Sequence, residues 1–62
     1  MSDLTKIAVD AMGGDGSPKK IIDGIIHNHK SNNKNFFRIF GNKVEIESHI
    51  KDKIHQDYYE II

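Results

Sequence analysis

The residues best suited to chemistry in this chain form a glycine-rich turn between an apolar segment and a segment that favours a helix. Residues 7–18 read IAVDAMGGDGSP. Glycines can adopt positive φ angles and let a ligand approach the backbone. The start of the following helix offers unpaired N–H groups and the positive end of a dipole. The turn is therefore suited to an anion, most simply a phosphate.

Two interpretations of the turn stand about equal on the residues alone. Gly13, Gly14 and Gly16 can point successive amides into one concavity, and Ser17 adds a hydroxyl at the helix entrance. Alternatively, the glycines serve only a tight connection between strand and helix. The order of the glycines does not match a dinucleotide-binding fingerprint, and no Gly-Lys-Ser/Thr follows as in a Walker A loop. Nucleotide binding is therefore unsupported.

Charged residues flank the turn on both sides. The carboxylates of Asp10 and Asp15 would repel a phosphate unless a cation or a proton intervenes. We expect Asp10 to hold the turn by accepting backbone N–H groups, and Asp15 to do the same or to contact substrate. Lys19 and Lys20 stand in the first turn of the helix, where cations oppose its dipole. They either pair with a nearby anion or are simply solvated, and the second interpretation is slightly favoured.

The elements that position this turn follow from the apolar pattern. The continuous apolar run within residues 5–10 predicts a buried strand. Ser17 suits an N-cap and Pro18 the first helical position, so a helix should begin there and end near residues 29–31. The apolar face of this helix should consist of Ile21, Ile22, Ile25 and Ile26.

The rest of the chain repeats the alternation of strand and helix. Residues 36–40 predict a second strand, which Gly41 closes. Asn42 with Glu45 resembles a capping box and predicts a second helix that stops near His55. Residues 58–62 look like the start of a third strand. The apolar stripe of the second helix should consist of Val44, Ile46, Ile50 and Ile54.

The order β-α-β-α-β specifies a parallel sheet with right-handed crossovers. Parallel strands normally need helices on both faces, and two helices cannot cover both faces of three strands. We therefore expect residues 1–62 to be the N-terminal fragment of a single larger α/β domain, an incomplete parallel-sheet fold.

Composition excludes several classes of protein. The chain has 62 residues, no cysteine, and nine basic residues against nine acidic ones. A disulfide scaffold is excluded, and a balanced charge argues against a nucleic-acid partner. The aromatic residues of the strands are expected in the core rather than on a nucleic-acid stacking platform. The four histidines are too scattered for a metal site, and we expect no metal and no cofactor.

The start of the chain has neither a signal peptide nor an apolar run long enough to span a membrane. We therefore expect a cytoplasmic protein, with peripheral membrane contact left open.

The motif Ile7-Ala8-Val9-Asp10-Ala11-Met12-Gly13-Gly14-Asp15-x-x-Pro18 resembles the N-terminal signature of the bacterial phosphate acyltransferases of phospholipid synthesis, the PlsX family. The resemblance continues more loosely through Gly24 and through residues 36–41. Gly41-Asn42 departs from the usual Gly-Asp, and Gly16 replaces a larger residue. The resemblance covers essentially the whole chain but only the opening part of the enzyme.

The resemblance implies a three-layer α/β/α fold similar to that of phosphate acetyltransferase and isocitrate dehydrogenase, and a homodimer. The implied reaction transfers a fatty acyl group from acyl carrier protein to inorganic phosphate, giving acyl phosphate for phospholipid synthesis. Carried over residue by residue, it implies that the pocket for substrate and phosphate is lined by Asp10, Gly13, Gly14 and Asp15. No catalytic residue is assigned.

Two other classes of function stay open. The chain could be a noncatalytic module that binds an anion or docks its exposed strand on a relative's sheet. It could also be a nonfunctional remnant, since its core is small. On the leading interpretation, an acyltransferase fragment, we expect the 62-residue polypeptide alone to show no turnover.

Overall fold

The computed structural model describes residues 3–62. Its elements are β1 (Thr5–Asp10), α1 (Lys19–Ser31), β2 (Asn35–Phe40), α2 (Lys43–Ile50), a single 3-10 turn (Gln56–Tyr58) and β3 (Tyr59–Ile61). The strands form one sheet in the order β1-β2-β3, and both pairings are parallel. The predicted β-α-β-α-β order and parallel sheet are confirmed.

Both helices lie on the same face of the sheet and pack against each other. This follows from the strand order, since two right-handed crossovers made in the same direction place their helices on one side. The core lies between this helical layer and the sheet. It consists of Ala11, Ile22, Ile25, Phe37, Ile39, Ile46, Ile50 and Ile54.

Helix α1 forms where the isoleucine spacing predicts it. Ile22 and Ile25 are buried, and Ile21 and Ile26 pack against the core from its rim. His29 and Lys30 stand in its last turn, where positive charge is favourable. At the other end, the predicted Ser17 cap is wrong. The N-cap position is Pro18 and no side chain caps the helix.

Helix α2 begins as predicted, because the Asn42 side chain accepts the N–H of Glu45 at 3.0 Å. It ends at Ile50, five residues before the predicted end at His55. The chain leaves the helix at Lys51, whose ψ of 135° is not helical, and Asp52 then adopts a φ of 67°, outside the right-handed region. The resulting turn still carries Ile54 into the core.

Val44 is a second departure in α2. It was expected on the apolar stripe, but its side chain is 78% exposed, whereas Ile46 and Ile50 are fully buried. Helical spacing explains the difference, because Val44 lies two positions from Ile46 and therefore on the opposite side of the helix. The stripe consists of the isoleucines alone.

Strand β1 is not buried on both faces as its apolar run predicts. Ile7 and Val9 pack toward the helices and are half-buried, while Ala8 between them is exposed. Phe40 is likewise 39% exposed, and Phe36 is half-buried, although both were expected in the core. The reason is topological, since no helix of residues 3–62 lies on that second face of the sheet.

Candidate functional site

The glycine turn leaves the carboxyl end of β1, where open α/β folds bind ligands. Ala11 continues the ladder by donating its N–H to the Phe40 carbonyl at 3.0 Å, and its side chain is fully buried. Residues 12–16 that follow are all exposed. A buried anchor therefore holds a loop that is open to solvent.

Asp10 holds the first bend of the turn. Its Oδ1 accepts the backbone N–H of Met12 at 3.0 Å. Its Oδ2 lies beside Gly13, so near that a β-carbon there would stand 3.7 Å from it. The structural role expected for Asp10 is therefore present, and one of its oxygens is committed to the backbone.

Two of the three glycines in the turn are required by their backbone conformation. Gly14 has a φ of 84° and Gly16 a φ of 80°. A β-carbon at Gly14 would meet nothing within 4 Å, so steric crowding does not explain that glycine. An L-residue in left-handed conformation costs about 1–2 kcal/mol. The turn therefore needs glycine for its path, and the path leaves open space beside Gly14.

Ser17 bonds back into the turn rather than forward into the helix. Its Oγ donates to the Gly13 carbonyl. The helix begins instead on main-chain bonds, since Lys20 N–H donates to the Gly16 carbonyl and Ile22 N–H to the Pro18 carbonyl. With its hydroxyl used this way, Ser17 closes the loop on itself and leaves the helix entrance without a side-chain cap.

Lys19 and Lys20, in the first turn of α1, make different contacts. Lys19 Nζ pairs with Asp23 Oδ2 at 2.8 Å, one helical turn on. That hydrogen bond is the main cause that lowers the pKa of Asp23. Lys20 is exposed, and its stem lies beside Gly16. The charge of Lys19 is thus balanced within α1 by Asp23, while Lys20 stays beside the turn.

The turn after β2 packs against the glycine turn. A β-carbon at Gly41 would stand 2.6 Å from Met12 Cγ and 3.0 Å from Ile46 Cδ1. Met12 therefore occupies the space that a side chain at Gly41 would need. This contact fixes the two strand-to-helix turns against each other. Nothing in the sequence signals this contact beyond the glycine that ends the strand.

The structure places all four predicted pocket residues on one loop but does not enclose them. Gly13, Gly14 and Asp15 are exposed, and Asp10 lies at the strand end with one carboxylate oxygen bound. Two grooves lie away from this loop: one of about 310 Å³ lies between α1 and α2, and one of about 430 Å³ is lined by residues 51–56 and Tyr59.

The histidines of the described chain serve packing and turns where their contacts are defined. The ring of His29 lies 4.7 Å from that of Tyr58 at 59°. His55 Nδ1 accepts the N–H of Asp57 at 3.1 Å and so caps the start of the 3-10 turn.

No helix within residues 3–62 is long and apolar enough to cross a membrane.

With the fold and the turn in place, comparison with known proteins identifies the family. Residues 5–62 match the family described as "Fatty acid synthesis protein". A phosphate acyltransferase of Pelagibacter ubique is 56% identical over all 62 residues, and one of Bacillus subtilis is 47% identical over 45 residues, or 73% of this chain. One of Enterococcus faecalis is 40% identical over 48 residues, or 77% of the chain.

The chain belongs to this family of fatty acid synthesis proteins. It spans only a minor part of its relatives, 18% of the Pelagibacter protein and 14% of the other two. The family expected from the IAVDAMGGD motif is confirmed.

Proposed function

We propose that this chain supplies one wall of the phosphate site of an acyltransferase that transfers a fatty acyl group from acyl carrier protein to inorganic phosphate. The observation that carries the proposal is the glycine turn at the carboxyl end of β1, with Gly14 and Gly16 at positive φ. The relatives that share this segment are phosphate acyltransferases.

The proposed reaction requires hydrogen-bond donors for an anion, and a glycine turn can provide them. A phosphate oxygen attacks the thioester carbonyl, a C–O bond forms, and the C–S bond breaks with its electron pair going to sulfur, where a proton completes the thiol. The enzyme must orient an anion and stabilise the developing oxyanion. Exposed main-chain N–H groups of a glycine turn can do this without a side chain.

Four residues are proposed to line the pocket, and they divide into two kinds. Gly13 and Gly14 would approach the phosphate through their backbone, with open space beside Gly14. Asp10 would act through the turn, since its Oδ1 holds the N–H of Met12. Asp15 is exposed and can contact substrate directly. A cation or a proton is needed between its carboxylate and a phosphate.

Phosphate binding is testable on the chain itself. In 15N-edited NMR of the 62-residue chain, added phosphate should shift the amide signals of the glycine turn along a saturating curve. Gly14→Ala should weaken that binding several-fold, because it strains the turn at a φ of 84°. Gly24→Ala, on an open surface of α1, is the matched control. Equal shifts with chloride at the same ionic strength would contradict the proposal.

The catalytic part of the proposal needs a complete partner fold. We define the chimera as the Pelagibacter relative with its matching segment replaced by this chain, which aligns over all 62 residues. The chimera should form acyl phosphate from acyl carrier protein thioester and phosphate, and the 62-residue chain alone should not. A steady rate from the chain alone, or none from a folded chimera, would refute this.

The remaining partners come with the proposed reaction. Acyl carrier protein would be the acyl donor, the complete enzyme would be a homodimer, and the work would take place in the cytoplasm with peripheral contact to the membrane that receives the acyl phosphate.

A further inference from the structure

The groove of about 310 Å³ between the two helices collects positive charge in a chain whose net charge is zero. We call it the α1–α2 groove. Its lining includes three lysines and a histidine but a single carboxylate; these charged or titratable residues are Lys19, Asp23, Lys30, His49 and Lys53. The charges of the chain are therefore unevenly distributed, and this side of the helical layer is cationic.

The α1 side of the groove is one continuous face of that helix. Lys19, Asp23, Ile26 and Lys30 follow one another at the three- and four-residue intervals that place side chains on one side of a helix. From Lys19 to Lys30 this face is about 16 Å long, at the usual helical rise of about 1.5 Å per residue. Its two ends carry exposed lysines, and half-buried Ile26 between them packs against the core.

The α2 side brings further positive charge to the same place. Lys19 Nζ lies 2.8 Å from Asp23 Oδ2. This hydrogen bond is the main cause that lowers the pKa of Asp23, and the positive charges of His49 and Lys53 lower it further. A side chain from beyond the end of α2 therefore stands close to a carboxylate in the second turn of α1, and the groove acts as one electrostatic unit.

Two lysines of the groove have no carboxylate partner of their own. Within residues 3–62, no acidic group lies at ion-pair distance from Lys30 or Lys53, and both lysines are exposed. The carboxylates near the end of α2 act elsewhere: after burial, the charges of Glu47 and Asp52 raise the pKa of Tyr59, which lines the other groove. The α1–α2 groove thus keeps positive charge that is available to a partner.

The layout of this charge fits an acidic protein surface better than a small anion or a membrane. Cations at the two ends of a face about 16 Å long cannot converge on a single phosphate. A membrane-binding surface needs apolar side chains that can insert beside its cations, whereas Ile26 is held against the core. A concave, cationic groove between two helices instead suits a row of carboxylates on a protein partner.

We infer that the α1–α2 groove docks an acidic surface of the protein that carries the acyl group. The inference rests on the proposed function and assigns the docking surface for its protein substrate. The groove begins at Lys19, three residues after Gly16. A carrier lying along the groove would therefore hold its thioester toward the glycine-turn end of α1. Complementary charge of this kind speeds the encounter of the two proteins and fixes their orientation.

Binding of a fluorescently labelled fatty acyl carrier protein to the chimera, followed by anisotropy without added phosphate, tests the inference. Lys53→Glu should raise the Kd by about tenfold or more, because the new carboxylate repels an acidic surface. The matched control is Lys51→Glu, which changes the net charge equally at a residue of the other groove. The control should leave the Kd close to that of the unmodified chimera. Added salt should weaken binding and narrow the difference between the two variants.

A second variant keeps the test decisive if Lys53→Glu unfolds the chimera. Lys30→Gln removes a charge without adding one and should raise the Kd several-fold. If the groove variants bind the carrier as tightly as the Lys51→Glu control does, the inference is wrong. It is also wrong if they keep the carrier and lose binding to vesicles of anionic phospholipid, since the groove would then serve a membrane.

The binding measurement also separates this inference from the proposed function, because it needs no turnover. A chimera that binds the carrier through the α1–α2 groove but forms no acyl phosphate would refute the proposed function alone. A chimera that forms acyl phosphate, with a Kd for the carrier that the groove variants do not change, would refute the docking surface alone.

Discussion

Replacing Gly41 with alanine is the sharpest single test of how the two turns at the carboxyl end of the sheet are joined. The added β-carbon would stand 2.6 Å from Met12 Cγ and 3.0 Å from both Met12 Sδ and Ile46 Cδ1. Ile46 is fully buried and cannot retreat, whereas Met12 is 43% exposed and can rotate outward. The substitution should therefore expel Met12 and loosen the glycine turn that carries it.

The loss of stability has two sources. Overpacking of this kind costs roughly 1–3 kcal/mol. Gly41 also has a φ of 154°, in a region that residues other than glycine rarely occupy, and such strain costs on the order of 1–3 kcal/mol. Together we expect about 2–4 kcal/mol, allowing for partial relief by Met12. A chain of this length has about 3–9 kcal/mol of stability in all, so Gly41→Ala removes a large share.

Thermal unfolding followed by circular dichroism measures the effect. A loss of about 2 kcal/mol should lower the melting temperature by roughly 8 °C or more in so small a domain. The matched control is Gly24→Ala in α1, where a β-carbon meets nothing within 4 Å. That variant should gain about 0.5–1 kcal/mol, since alanine favours a helix over glycine.

A double-mutant cycle separates the two sources. If the clash with Met12 dominates, Met12→Ala should recover part of the loss in the Gly41→Ala background while destabilising the wild-type chain. If Gly41→Ala melts with the wild type, Met12 does not occupy the space above Gly41. The proposed packing of the two turns would then be wrong.

Three further changes have defined outcomes. Asn42→Ala should cost about 0.5–2 kcal/mol by removing the cap bond of α2, whereas exposed Asn33→Ala should be nearly neutral in the same urea titration. Ile46→Ala should cost about 2–5 kcal/mol and Val44→Ala very little, and equal effects would contradict the burial difference between them. Burial, then the charges of Glu47 and Asp52, raise the pKa of Tyr59. The contribution of Tyr59 to the free energy of unfolding is therefore complete below the ordinary tyrosine pKa of about 10, and it declines as the pH rises through the pKa of the folded chain. Tyr59→Phe should reduce this loss of stability at alkaline pH. An unchanged dependence of the free energy of unfolding on pH would contradict the prediction.

Much of the local structure could be predicted from residue types because it depends on near neighbours. The isoleucine spacing predicted α1 with an end near residues 29–31, and the helix ends at Ser31. Asn42 predicted the start of α2, since both signals act within one helical turn. The IAVDAMGGD motif predicted the family. Asp10 was expected to hold a backbone N–H, which a carboxylate at a strand end does through its own loop.

What the sequence could not decide depends on contacts between distant segments. The apolar run of β1 predicts burial on both faces, but the strand order leaves one face and one edge open within residues 3–62. Ser17 has the side chain of an N-cap, yet its hydroxyl bonds to Gly13 because the positive φ of Gly14 and Gly16 folds the loop back. Met12 and Gly41 lie in different turns, and only the pairing of β1 with β2 brings them together. Local preference fixed each element, while the packing of one turn on another decided where the candidate site opens.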